Sequence, residues 1–389
     1  MKNFTYFLLL VLLIFVSSCS YLKNVGLLSG GELKAKNFVQ EVPFELRKDL
    51  IVVKAQLNAD TVVREFIFDT GAFNSKVENS LANDLGLETV TTKSNSTAQG
   101  VSKDIEVTRL DSIIFGKTAF YKIGAGKVVY SEKSASPCIA TDGIIGANLM
   151  KLAHWKINYQ NQKLYFSDTP FSIQGKYYTL PFEHPTLSGT PKIDVKVGEK
   201  TVENILFDVG FNGGLVLPLS LAHHFESEET EIILDNATSG IYGTNTDSVI
   251  VKKLKVNVGG YETEMIVEFS KLGKALLGNE FLKHFTVCID YEEDKILLQP
   301  QKEVKIEAPS KFLVGILNDS LWVVNRTYPN IDLNLGDTIL SVNNRKPKDL
   351  FSSHCDYVMN NGKLFELDSL VLEMKDGKKI NLNLKKVLN

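Results

Sequence analysis

The sequence predicts a mainly β protein built on an internal duplication, followed by a smaller α+β unit. Three observations predict it. The phrase Phe68-Asp69-Thr70-Gly71-Ala72 returns 139 residues later as Phe207-Asp208-Val209-Gly210-Phe211. A second pair of phrases, Gly143 to Phe166 and Ala275 to Leu298, is offset by 132 residues. From Pro43 onward, short segments rich in Val, Ile, Phe and Tyr are bounded by Gly, Asn, Asp or Pro, the pattern of half-buried strands closed by turns. The two offsets differ by a loop-length change, as two copies of one supersecondary unit would.

The strand segments are Leu50 to Leu57, Ile105 to Phe115, Ile157 to Phe166, Ile193 to Val197, Val249 to Val258 and Ile296 to Leu298. Two stretches read as helices. Ser75 to Leu87 follows the first repeated phrase and carries Leu81, Leu85 and Leu87; Pro218 to Phe225 follows the second, with a proline suited to the first helical position. Both helices occupy the same place in their repeats.

Each repeated phrase sets an aspartate at the end of an apolar run and a glycine two residues later, which reads as a strand ending in a sharp turn. Two such turns facing one another bring Asp69 and Asp208 together. Like charges a few ångströms apart cannot both ionise, so such a pair shares a proton and holds an acid and a base side by side near neutral pH. Thr70 supplies a hydroxyl able to fasten one turn to the backbone of the other, and Gly71 and Gly210 permit close approach. At Val209 the second turn keeps the shape of threonine and loses the hydroxyl.

Composition bounds the remaining chemistry. The 389 residues exceed one ordinary core and imply two or three domains. With 43 basic and 46 acidic residues the net charge is only −3, and no basic cluster is interleaved with aromatics, so no nucleic-acid partner is expected. His154, His184, His223, His224, His284 and His354 lack zinc-site spacing, and neither a H-E-x-x-H nor a G-x-S-x-G phrase occurs. No cofactor or metal is expected.

The N-terminus reads as a targeting segment: Lys2, an apolar run from Phe4 to Val16 too short to span a bilayer comfortably, then Ser17-Ser18-Cys19. It resembles the bacterial lipoprotein signal, which implies lipidation at Cys19, membrane attachment through that anchor and residence in the cell envelope at the outer membrane. Cys138, Cys288 and Cys355 cannot all pair within the chain; a disulfide, a thiol nucleophile and small buried side chains are the alternatives, with Cys288 placed in a core strand.

The repeated phrases resemble the pepsin-like and retropepsin-like aspartic peptidases, specifically bacterial two-lobed relatives with a PDZ-like tail. The resemblance covers roughly residues 45 to 300. The Asp-Thr-Gly turn is Asp69-Thr70-Gly71, and the apolar pair and glycine that cross behind each turn are Ile144-Ile145-Gly146 and Leu276-Leu277-Gly278. It implies a two-lobed pepsin-like β-barrel protease fold, an Asp69/Asp208 dyad acting on peptide or protein substrates, and covering hairpins whose candidate tips are Ala98 to Val101, with Gly100, and Ser239 to Gly243, with Gly240. Val209 and Phe211 depart from the pattern and motivate a second reading, a noncatalytic peptide-binding lipoprotein on the same fold. Leu335 to Asn344, LGDTILSVNN, resembles the most recognisable stretch of a PDZ-like domain, which implies a peptide ligand, with Gly315 in a carboxylate-receiving loop or inside a strand. The expected organisation is a signal over 1–18, a tether over 19–42, lobes over 43–170 and 171–306, and a PDZ-like domain over 307–389.

Overall fold

The computed structural model describes residues 26–384 apart from 98–99, 133, 186, 237–238, 245–246 and 366. The expected signal, Cys19 and the hairpin residues Ala98 and Gln99 lie outside the described residues.

The chain is mainly β, and the two repeats fold alike around their turns. In the first, Arg64–Phe68 runs parallel to Gly143–Ile145, which is antiparallel to Ser75–Glu78, itself parallel to Thr118–Val128. In the second, Lys200–Phe207, Leu276–Leu277, Leu215–Pro218 and Tyr261–Ser270 repeat these pairings and their directions. Alternation explains the strands: in Lys192–Val197, Ile193, Val195 and Val197 are buried while Asp194 and Lys196 are exposed.

A further sheet joins the repeats. Its order is Tyr178–Pro181, Lys295–Pro300, Phe285–Asp290, His154–Asn158, Lys163–Ser167, Val39–Arg47, and the two copies meet where Trp155 opposes Ile289 and Ile157 opposes Val287. Phe68, Trp155, Phe207 and Phe285 belong to one continuous core, so the repeats share an interior.

Several expectations are corrected. The tether expected through residue 42 is drawn into the body, with Glu32–Leu33 pairing with Phe120 and Tyr121 and Val39 opening a strand against Ser167. Ser75 to Glu78 is a strand rather than the start of a helix, because its backbone is taken between Gly143–Ile145 and Thr118–Val128; the helix is Asn79–Asp84, capped by the Glu78 carboxylate. Pro218 caps a short 3₁₀ helix, Leu219–His224, instead of entering it. Ile157 to Phe166 is two strands, because Tyr159 to Gln162 turn between them.

The C-terminal segment has its own core around Phe312, Val314, Trp322, Ile339 and Leu370. Its strands are Leu313–Asn318, Leu321–Thr327, Thr338–Val342, Ser369–Met374 and Lys379–Asn383, with the helix His354–Asn360 capped by Ser353. Gly315 lies within the first of these strands, opposite Val323, where a side chain would meet Asn325 at 2.1 Å, so it forms no carboxylate-receiving loop. This segment is stitched to the second repeat by Leu234 opposite Thr327 and Asp235 opposite Arg326. The Arg326 guanidinium donates to the buried Asp235 carboxylate at 2.7 Å. Cys138 and Cys355 form a disulfide between the first repeat and the start of this helix, and Cys288 is a buried strand residue.

Candidate active site

The turns at Asp69 and Asp208 face one another across the boundary of the repeats. Each turn is fixed from behind by its own crossing strand: the Asp69 amide donates to Ile145 O at 3.0 Å and the Asp208 amide to Leu277 O at 2.9 Å. The apolar pairs 144–145 and 276–277 therefore act as struts that set where the carboxylates project.

The two glycines show how tightly the turns meet. A side-chain carbon added at Gly71 would lie 2.3 Å from an Asp208 oxygen, and one at Gly210 would lie 2.2 Å from the Asp69 carboxyl carbon. Each carboxylate thus occupies the space that only glycine on the opposite turn leaves open. Asp69 Oδ1 accepts from the Ala72 amide at 2.7 Å, and Asp208 Oδ1 accepts from the Gly210 amide at 2.8 Å. Burial foremost, and then the charge of Asp69, push the Asp208 carboxyl well above the usual aspartate range; the Gly210 and Gly71 amides oppose the shift. The pair therefore keeps a proton on Asp208 where an ordinary aspartate has lost it.

Thr70 is fully buried and joins the turns. Its hydroxyl donates to Phe207 O at 2.7 Å and accepts from the Val209 amide at 3.0 Å. Val209 is equally buried and returns no side-chain hydrogen bond. The second turn has another fastening that the sequence did not single out. Asn279 Nδ2 donates to Val209 O and to Asp49 O, both at 2.7 Å, while its Oδ1 accepts from Tyr159 at 2.6 Å. Phe211 lies against Gly278 and Gly213, where an added side chain would come within 2.5 and 2.3 Å of its ring. It borders the cavity as well and offers Asp208 no polar group.

Asp69 and Asp208 open into a cavity of about 570 Å³. Gly240 lines it, in a small hairpin that pairs Ser239–Gly240 with Gly243–Thr244. Gly100 does not; it sits exposed at the tip of the hairpin Thr91–Ser96 with Ser102–Phe115, whose residues Asn95, Ser96 and Thr97 do line the cavity. The two hairpins touch through Asn95 Nδ2 donating to the Tyr242 hydroxyl at 2.9 Å.

The cavity has a third wall. Leu313, Arg326, His354, Tyr357 and Val358 reach it from the C-terminal segment, and Met359 packs with Ile67, Ala72 and Ile144 beside the first turn. Lys48 Nζ donates to Asn361 Oδ1 at 3.0 Å, and the disulfide pins the same helix. Lys76 also lines the cavity, at 5% exposure. Ser75, Lys76 and Val77 are all buried, and no sequence signal singled out the lysine, because its burial comes from the strands that flank it on both sides.

No curated protein matches the chain. Residues 53–149, which contain the Asp69 turn and its strut, match the family model described as aspartyl protease.

Proposed function

We propose that this protein is an aspartic endopeptidase that hydrolyses peptide bonds with Asp69, Asp208 and one water, anchored to the bacterial cell envelope through a lipid on Cys19. The observation that carries the reading is the reciprocal packing of each carboxylate on the opposite turn's glycine. In this mechanism Asp208 holds the proton and donates a hydrogen bond to the scissile carbonyl, while ionised Asp69 takes a proton from the attacking water. The tetrahedral intermediate collapses as a proton passes to the leaving nitrogen, and no covalent intermediate forms. The substrate lies extended under the two hairpins, which offer backbone groups for strand-like pairing. A disulfide between Cys138 and Cys355 suits an oxidising compartment such as the envelope.

A second reading, a peptide-binding lipoprotein without catalysis, is favoured by Val209. Incubating the mature chain with a diverse peptide mixture from acidic to neutral pH separates the two. Cleavage by wild type that vanishes in Asp69→Asn and in Asp208→Asn is expected for the enzyme; binding without cleavage, or cleavage that survives in Asp69→Asn, overturns it. Replacing Cys19 with Ala is expected to release the protein from the membrane fraction.

A further inference from the structure

The cleft carries positive charge that the proposed hydrolysis does not use. Lys76 sits on Ser75–Glu78, next to core Val77, and its backbone is held from both sides by Ile144 and Gly126, which fixes the strand face from which its side chain leaves. Its ammonium group donates to Asn74 O at 3.2 Å. Lys93 arrives from the neighbouring hairpin strand, donates to Asn74 Oδ1 at 2.6 Å and lies 4.7 Å from the centre of the Phe73 ring. Lys274 reaches the same cavity from the second repeat.

Among the described residues, no carboxylate hydrogen-bonds to Lys76 or Lys93. Asp69 attracts Lys76 from farther off, Glu268 lines the cavity on the side of the second repeat, and the oxygens that meet Lys76 and Lys93 directly are neutral ones of Asn74. A buried ammonium without an anionic partner opposes folding, and a second ammonium nearby adds repulsion. Burial lowers the affinity of both Lys76 and Lys93 for their protons, to about 8 for Lys93. A leucine or methionine at position 76 would pack without that cost, so the arrangement is understood once an anion enters from outside.

We propose that Lys76 and Lys274, which line the cavity, form an anion-binding subsite beside Asp69, with the charge of Lys93 behind Lys76, which selects peptides carrying an aspartate or glutamate side chain next to the scissile bond. The inference rests on the peptide-cleaving reading for its substrate and goes beyond it in naming the class. The carboxylate of the substrate supplies the missing partner, and the buried setting of Lys76 strengthens the pairing relative to one in water.

The test uses two matched sets of peptides, identical except for glutamate or glutamine beside the cleaved bond: fluorogenic ones for kcat/KM, and ones with a reduced, uncleavable bond for binding by anisotropy. Wild type is expected to favour glutamate by roughly tenfold or more in both measurements, as a charge-assisted hydrogen bond warrants. Lys76→Met is expected to bring the ratio near one. Lys274→Gln, at an exposed position, is expected to reduce it and provides the readout if Lys76→Met does not fold. Equal binding of the two uncleavable peptides by wild type overturns the subsite, as does a preference that survives in both variants. Preferential binding of the glutamate peptide without cleavage of any substrate would sink the endopeptidase reading and leave the subsite standing; equal cleavage of both peptides would do the reverse.

Discussion

Replacing Thr70 with valine tests how the two turns are held together. Valine fills nearly the same space, so packing is retained while the hydroxyl is lost. The hydroxyl makes two hydrogen bonds, at 2.7 Å to Phe207 O and 3.0 Å from the Val209 amide, and Phe207, Val209 and Thr70 are all inaccessible to solvent. Each stranded group costs about 1 to 3 kcal/mol, so the pair costs roughly 2 to 6 kcal/mol. Urea unfolding of wild type and Thr70→Val at one pH gives the difference directly. Activity is expected to fall more steeply than stability, because a shift of about 1 Å between reacting groups costs on the order of a hundredfold in rate. A stability loss below about 1 kcal/mol with unchanged kcat would show that the threonine does not couple the turns, and the reasoning would fail.

Other consequences follow from charge and covalent structure. Asp208 keeps its proton in the folded protein after an unfolded aspartate has released it, so wild-type stability falls as pH rises above the unfolded value. Asp208→Asn is therefore expected to be more stable than wild type at pH 7 and no more stable below about pH 3.5, as read by urea melts at the two pH values. Burial and the charge of Glu268 raise Glu280 to about 7, so Glu280→Gln should match wild type near pH 4 and gain up to about 2 to 3 kcal/mol at pH 8, with a flat difference refuting the shift. The Cys138–Cys355 bond spans 217 residues of chain, and its removal in Cys355→Ser is expected to cost up to about 5 kcal/mol by loop entropy. Thermal melts with and without reductant measure that cost; alkylation of both thiols in the native oxidised protein would contradict the bond. Val209→Thr is expected to add no more than about 1 kcal/mol, since the turn is already fastened by other groups.

Much of the fold was legible because the duplication is written twice. The repeated Asp-x-Gly turns and the apolar pairs behind them identify strands whose pairings the structure reproduces in both repeats. Local propensity misled where neighbouring strands claimed the backbone, as at Ser75 to Glu78, whose residues read equally well as the first turn of a helix. Cys138 and Cys355 are far apart in sequence and carry no pairing signal, because proximity came from the docking of the C-terminal segment. The same docking hid the cleft's third wall: nothing in the sequence around His354 or Tyr357 points to a cavity formed mainly by other parts of the chain.

The asymmetry between the turns takes a different meaning once Asn279 is considered. From the sequence, Val209 removes a hydroxyl and weakens the second turn. In the structure the threonine of the first turn serves both partners, accepting from one residue of the second turn and donating to its neighbour. Asn279 then holds the Val209 carbonyl and reaches across to Asp49 and Tyr159 in the first repeat. Its counterpart in the first repeat is Ala147, whose amide donates to Ala72 O at 2.9 Å but whose side chain reaches nothing polar. Each turn therefore has one polar side chain that crosses between the repeats, Thr70 from the first and Asn279 from behind the second. The connection a threonine at 209 would provide is made from a different position, which is why a departure from the repeated phrase does not imply a loosened pair of carboxylates.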